Sequence, residues 1–209
     1  MDKVGKAPGQ RKYPLPVWKS KFPWKRNPFT DGPEFQIWMK WLKDIGGEMG
    51  AKFFNRIRGT GLFCAYFYSD CKDIEAYELM VKCLVSLFFM DDHQECIGGD
   101  IDRDVERGAI IWGQFEEMLK RLNGAKVPMH RWKPYLAGVY AVMDSILEAM
   151  RSSEERARFI NECQAYMEGN LEENRCISRG QWHTSLEEMF KVSFTFLIRT
   201  VKLIKACFL

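Results

Sequence analysis

Leu84-Val85-Ser86-Leu87-Phe88-Phe89-Met90-Asp91-Asp92-His93-Gln94-Glu95 passes without a break from an apolar run into an acidic pentad. A run that is apolar on nearly every side belongs to a buried helix. On a helix Asp91 and Glu95 lie four residues apart and share one face, with Asp92 close to it. Carboxylate oxygens suit hard divalent cations, and Mg²⁺ is typically held by one or two carboxylates with phosphate oxygens completing its shell. The expectation is a site for Mg²⁺, or Mn²⁺ in its place, built by Asp91, Asp92 and Glu95 at the mouth of an apolar helix. His93 is of a type unsuited to Mg²⁺ and is read as pointing elsewhere.

Outward from that stretch the pattern is helical throughout. Asp31-Gly32-Pro33 reads as a helix start, with Phe35, Trp38, Trp41, Leu42 and Ile45 at helical spacing and Gly46-Gly47 as its end. A second helix is expected over 51–67, broken by Asp70 to Asp73, and the long apolar helix over 74–92. A further one is expected over 102–122, with Ile110, Ile111, Phe115, Met118 and Leu119 inward and Asn123-Gly124 as its stop. Helices over 131–150 and 154–173 follow, split at Ser152-Ser153. No stretch shows strand-like alternation between turn signals, so the expected class is all-α, a helical bundle whose core could hold a ligand cavity.

Composition is that of an ordinary globular chain, 46% hydrophobic with a formal net charge of +3, which singles out no special partner. Lys3, Lys6, Arg11, Lys12, Lys19, Lys21, Lys25 and Arg26 crowd the first residues against one acid, Asp2. Residues 1–21 lack both helical periodicity and aromatic-basic alternation, so they read as a basic, disordered leader and not as a nucleic-acid or membrane arm. Seven cysteines without a CxxC pair read as reduced thiols of a cytoplasmic protein. The apolar run before Asp91 is about half of what a bilayer needs. His130 and His183 have no spaced partner and read as structural. Asp100, Asp102, Asp104 and Glu106 either extend the acidic mouth or form a solvated helix N-terminus, where the dipole favours them.

Three segments together carry a family resemblance. Asp91-Asp92-His93-Gln94-Glu95 resembles the aspartate-rich DDxxE motif of class I terpene synthases of the microbial type. Trp24-Lys25-Arg26-Asn27-Pro28-Phe29, followed by Phe35 to Leu42, looks like that family's opening "NP" segment and first helix. Ala65-Tyr66-Phe67-Tyr68-Ser69-Asp70 and the acidic spacer after it are similar to the next block in order and distance. The resemblance covers roughly residues 22–191. It implies a class I terpenoid synthase-like helical bundle, incomplete at its C-terminus, that ionises a prenyl diphosphate, with farnesyl diphosphate the expected substrate and a sesquiterpene the product. The hydrocarbon tail would lie against Phe63, Tyr66, Phe67, Phe88 and Phe89, each of which, taken alone, also fits ordinary core packing. Arg175 and Arg179 are the candidates for diphosphate contacts. The resemblance leaves a homo-oligomer open.

The family's second metal motif, an Asn/Asp, a Ser/Thr and a Glu four residues apart, has no counterpart in the sequence. Its expected place lies past Leu209. After Ser185 to Lys191, where the family carries a diphosphate-sensing arginine, the chain reads Val192-Ser193-Phe194-Thr195-Phe196-Leu197-Ile198, and Arg199 comes several residues late. Residues 192–209 form an apolar tail unlike the family, read either as a diverged helix or as translated intron. Two alternatives therefore stand beside a working synthase. One is a catalytically incomplete chain of the same family with no activity alone, and the other is a chain-elongating prenyltransferase, whose longer first motif and second DDxxD are not found.

Overall fold

A computed structural model of the chain describes residues 25–95 and 99–179. Among these residues there are seven α-helices and no strand: α1 Pro33–Ile45, α2 Gly47–Lys52, α3 Phe54–Phe67, α4 Ile74–Glu95, α5 Val105–Leu122, α6 Pro134–Ala149 and α7 Ser153–Ser178. The expected all-α bundle is the observed class. A short 3-10 turn, Pro28–Asp31, precedes α1. The tail from Val192 and the leader over 1–21 lie outside the described residues.

The long helix α4 is the axis of the fold. Its side chains from Tyr77 through Met90 are buried almost without interruption, as the unbroken apolar run requires. It packs against α1, α3 and α6, while α5 packs against α6 and α7. Helix α1 turns Phe35, Trp38, Met39 and Leu42 inward and α6 turns Tyr135, Leu136, Val139, Val142, Met143, Ile146 and Leu147 inward, each a stripe at three-and-four spacing. These stripes and α4 form one continuous core. With several tens of buried apolar side chains at about 1.5 to 3 kcal/mol each, burial is the dominant favourable term in the fold.

The Asn27-Pro28 segment has a clear local purpose. Asn27 is fully buried, and its side-chain amide donates to the carbonyls of Tyr68 (2.8 Å) and Cys71 (2.9 Å), acceptors left over where α3 ends. Its Oδ1 accepts from the Phe29 N–H, which caps the 3-10 turn, and its own N–H donates to the Ala65 carbonyl. Thr30 then meets the Tyr77 hydroxyl at 2.8 Å. The opening segment thus fastens the α3–α4 turn, fixing the two helices antiparallel.

Several boundaries differ from expectation for physical reasons. The expected helix over 51–67 is divided at Phe53 into α2 and α3, and α2 can press close because Gly50 lies against the Lys43 carbonyl, where a Cβ would clash. Helix α4 continues past its expected end at Asp92 to Glu95, so the whole acidic pentad is helical, as the shared face of Asp91 and Glu95 requires. Helix α5 starts at Val105 with Asp104 as N-cap, accepting from the N–H groups of Glu106 and Arg107. On α5 the expected inward residues Ile111, Phe115, Met118 and Leu119 are buried, joined by Trp112, whereas Ile110 is 61% exposed.

Candidate active site at the end of the central helix

Phe88, Asp91, Asp92 and Glu95 follow one another on α4 at spacings of three, one and three, a single stripe of the helix surface. Phe88 and Asp91 are half-buried and Asp92 is buried, while the side chain of Glu95 lies outside the described ones. Antiparallel to this stripe runs α3, with Arg56, Thr60, Phe63 and Phe67 at four-and-three spacing. The two helices meet at the acidic end through an ion pair, Arg56 Nη2 to Asp92 Oδ1 at 2.8 Å. The carboxylate side chain is 8% exposed and the guanidinium side chain 56% exposed, so a long, wet arm neutralises a largely buried charge.

The other two residues of the pentad point the opposite way. Gln94 is fully buried; its Oε1 accepts from Trp112 Nε1 of α5 at 3.0 Å and its Nε2 donates to Asn170 Oδ1 of α7 at 3.3 Å. Asn170 in turn donates to the Tyr166 carbonyl, and the Tyr166 hydroxyl donates to the Leu87 carbonyl of α4 at 2.7 Å. His93 stacks on Tyr135 of α6 at 4.5 Å between ring centroids and stands edge-on to Phe89 at 4.6 Å. Its Nδ1 accepts the Asp100 N–H at 3.2 Å, which leaves the hydrogen of the neutral ring on Nε2, a buried atom with no hydrogen-bond partner. Burial lowers the His93 pKa from its ordinary 6.5 to about 4; the Asp100 carboxylate opposes that shift and Lys133 adds to it. The Asp100 carboxylate accepts from the Tyr135 hydroxyl and pairs with Lys133, both at 3.2 Å.

Residues 99–103 lie against the helix end. The N–H groups of Ile101 and Asp102 donate to the His93 carbonyl and that of Arg103 to the Gln94 carbonyl, so acceptors that a helix end leaves open are satisfied. Asp102 and Arg103 take left-handed backbone, φ 47° and 61°, at a cost of about 1 to 2 kcal/mol each that these bonds offset. Gly99 lies so close to the His93 carbonyl that a Cβ would collide with it.

The sequence-predicted residues are distributed as follows. Asp91 and Asp92 come together on α4 with Phe88 one turn before them. Phe89 is 1% exposed and faces His93 and Tyr135, on the core side of α4, not the side of the carboxylates. Phe67 is half-buried, and Phe63 and Tyr66 are each 43% exposed, with the rings of Phe63 and Phe67 edge-to-face at 4.4 Å. Arg175 is exposed on α7 and pairs with Glu172 at 3.3 Å, and Arg179 is exposed just past α7. The roles of Arg56, Gln94, Trp112 and Asn170 were not anticipated; only the spacing of Arg56 with Phe63 and Phe67 carried a signal. Open clefts of about 470 Å³ beside Arg121 and Tyr140, and of about 360 Å³ beside Asp100, Arg107 and Lys133, involve none of the predicted pocket aromatics.

Among the described residues no group of three or more His, Cys, Asp or Glu side chains is arranged to hold a metal ion. Two adjacent carboxylates on one helix face remain a fit for Mg²⁺, which takes one or two protein carboxylates and fills its octahedron with water and phosphate oxygens. Asp92 already binds a cation, the Arg56 guanidinium, so its electrostatic environment accommodates positive charge.

No protein-family model and no curated protein sequence matches this chain. Among solved structures, its fold is similar to that of the SVS_A2 protein (A224I mutant), which comes from ancestral sequence reconstruction. The TM-score is 0.68 at 14% identity, over 94% of this chain and 57% of that one. The chain therefore spans a little over half the length of that protein, and the likeness identifies the architecture they share as an all-α helical bundle.

Proposed function

We propose that this chain carries the first metal-binding half of a terpene synthase site, one that ionises a prenyl diphosphate, with farnesyl diphosphate as substrate and a sesquiterpene as product. The observation that supports it is the single stripe of α4 on which Phe88 leads into Asp91 and Asp92, beside an antiparallel helix carrying Arg56, Phe63 and Phe67 in the same polar-to-apolar order. Bound there, Mg²⁺ or Mn²⁺ supplies charge neutralisation to a leaving diphosphate. Asp91 and Asp92 are the residues that would hold it. Phe88, Phe67 and Phe63 lie along the direction in which the hydrocarbon tail would extend. Their π faces attract developing positive charge by about 0.5 to 2 kcal/mol per ring, and their bulk keeps water away from it. Helix α4 is held rigid for this by Gln94 and His93 on its far side.

A second reading is a chain of this architecture without activity of its own, in keeping with there being no group of three metal-ligating side chains among the described residues. One experiment separates the two. The purified chain is incubated with farnesyl diphosphate and Mg²⁺, and volatile hydrocarbons are read by gas chromatography beside an Asp91→Ala control. The expected outcome is terpene from the original chain and none from the control. No terpene, together with calorimetric binding of Mg²⁺ and inorganic pyrophosphate that Asp91→Ala abolishes, would support the second reading; neither product nor binding would overturn both.

A further inference from the structure

We infer that Arg56 is a built-in competitor for the cation site: its guanidinium occupies Asp92 in the metal-free chain, and a divalent ion binds there by displacing it. The inference rests on the reading of Asp92 as a metal ligand given above. Three features of the structure carry it. Asp92 is 8% exposed at its side chain, and a carboxylate taken that far from water needs a counter-charge. Arg56 supplies one from another helix, through a charge-assisted bond of 2.8 Å to the same kind of oxygen a metal would use. Yet Arg56 itself is 56% exposed, so its head returns to water without a large desolvation cost.

The exposure of the Arg56 side chain gives that movement room. The guanidinium is the flexible partner; the carboxylate is the fixed one, because the last turn of α4 is bonded to α5, α6 and α7 through Gln94 and His93. A divalent ion brought to Asp92 repels the guanidinium, and the exposed arm yields more readily than the buried carboxylate. The apparent metal affinity is then the intrinsic affinity of the carboxylates reduced by the strength of the Arg56 pair, and the charge of Asp92 stays compensated when no metal is present.

The test is Mn²⁺ binding, followed by electron paramagnetic resonance, to the full chain and to Arg56→Gln, Arg56→Lys and Asp92→Asn. Competition predicts that Arg56→Gln binds Mn²⁺ roughly three- to tenfold more tightly, that Arg56→Lys stays near the original, and that Asp92→Asn loses most of its affinity. Equal or weaker binding by Arg56→Gln, with Asp92→Asn still impaired, would overturn the competitor and leave the metal reading standing. Binding by Asp92→Asn as tight as the original would remove both. Should Arg56→Gln fail to fold, the guanidinium NMR signal of Arg56 in the unaltered chain decides. It moves to its solvent-exposed value as Mg²⁺ saturates the protein if the arm is displaced, and stays in place if it is not.

Discussion

The two sides of the last turn of α4 are made from one pentad and have opposite physical characters. On the core side His93 and Gln94 are 1% and 0% exposed and neutral, each tied to other helices by rings or by hydrogen bonds of fixed geometry. On the other side stand Asp92, whose charge is met by a half-exposed arginine arm from α3, and Asp91, half-buried. Rigidity is supplied from behind and charge is presented in front. A carboxylate pair needs such backing to act as a ligand site, because a helix end otherwise frays. The contrast teaches that the two unspecified positions of a DDxxE pattern need not be idle; here they anchor the helix to its bundle.

The comparison breaks most sharply if the core side is removed. Trp112→Ala deletes a fully buried ring that touches Phe115 and Tyr166 and leaves Gln94 Oε1 without its donor. The expected loss is about 3 to 5 kcal/mol of unfolding free energy, read from urea denaturation. Next in size is the response to acid in metal-free buffer. The unfolded chain binds a proton at His93 near pH 6.5, the folded chain only near 4, so between these values the unfolded state holds more protons. Stability from this group is complete above about pH 6.5 and falls as the pH drops towards 4, by about 2 to 3 kcal/mol. His93→Phe, which keeps a ring against Tyr135, should flatten that part of the profile; a profile of unchanged slope would show that the histidine is not the group responsible. Gln94→Leu comes after, at about 1 to 3 kcal/mol, because Trp112 Nε1 is left buried without an acceptor. Adding Trp112→Phe should restore part of the loss, and strict additivity of the two changes would mean that the pair is not coupled.

How much of this was legible in the sequence follows from the range of each interaction. The shared face of Asp91 and Asp92 follows from periodicity, a local property, and the start of α1 from Asp31-Gly32-Pro33, whereas α4 runs on to Glu95 past its expected end at Asp92. Gln94, Trp112 and Asn170 could not be matched, since their contacts join residues 18 and 76 positions apart and no local pattern pairs one buried amide with one indole. Phe88 and Phe89 show the limit within a single turn. Both belong to the same apolar run, but only the packing of α3 on one side and α6 on the other decides that Phe88 shares the carboxylate stripe while Phe89 lies in the core. On α5 the expected inward residues Ile111, Phe115, Met118 and Leu119 are buried and Ile110 is not, while Trp112, which the apolar pattern left unplaced, gives its indole to Gln94. The left-handed pair Asp102 and Arg103 is invisible to residue preference and follows from the loop's task of covering the helix end.

The smallest stability effect belongs to the apolar part of the α3 stripe, and it gives the comparison its functional edge. Phe63 is 43% exposed and its ring meets the Phe67 ring edge-to-face, so Phe63→Ser removes one aromatic pair and little buried area. The expected change in stability is at most about 1 kcal/mol. Phe89→Ala, by contrast, opens the core beside His93 and Tyr135 and should cost about 3 to 5 kcal/mol. If the tail of a prenyl diphosphate lies along the carboxylate stripe, Phe63→Ser lowers terpene formation by roughly tenfold while its urea midpoint stays put, because the ring contributes to the developing cation and not to the fold. Loss of activity in strict proportion to loss of stability across both variants would mean that neither ring meets substrate. An exposed aromatic that is dispensable for folding and required for turnover would mark the α3 side as the wall of the pocket, and it would do so independently of the metal ligands.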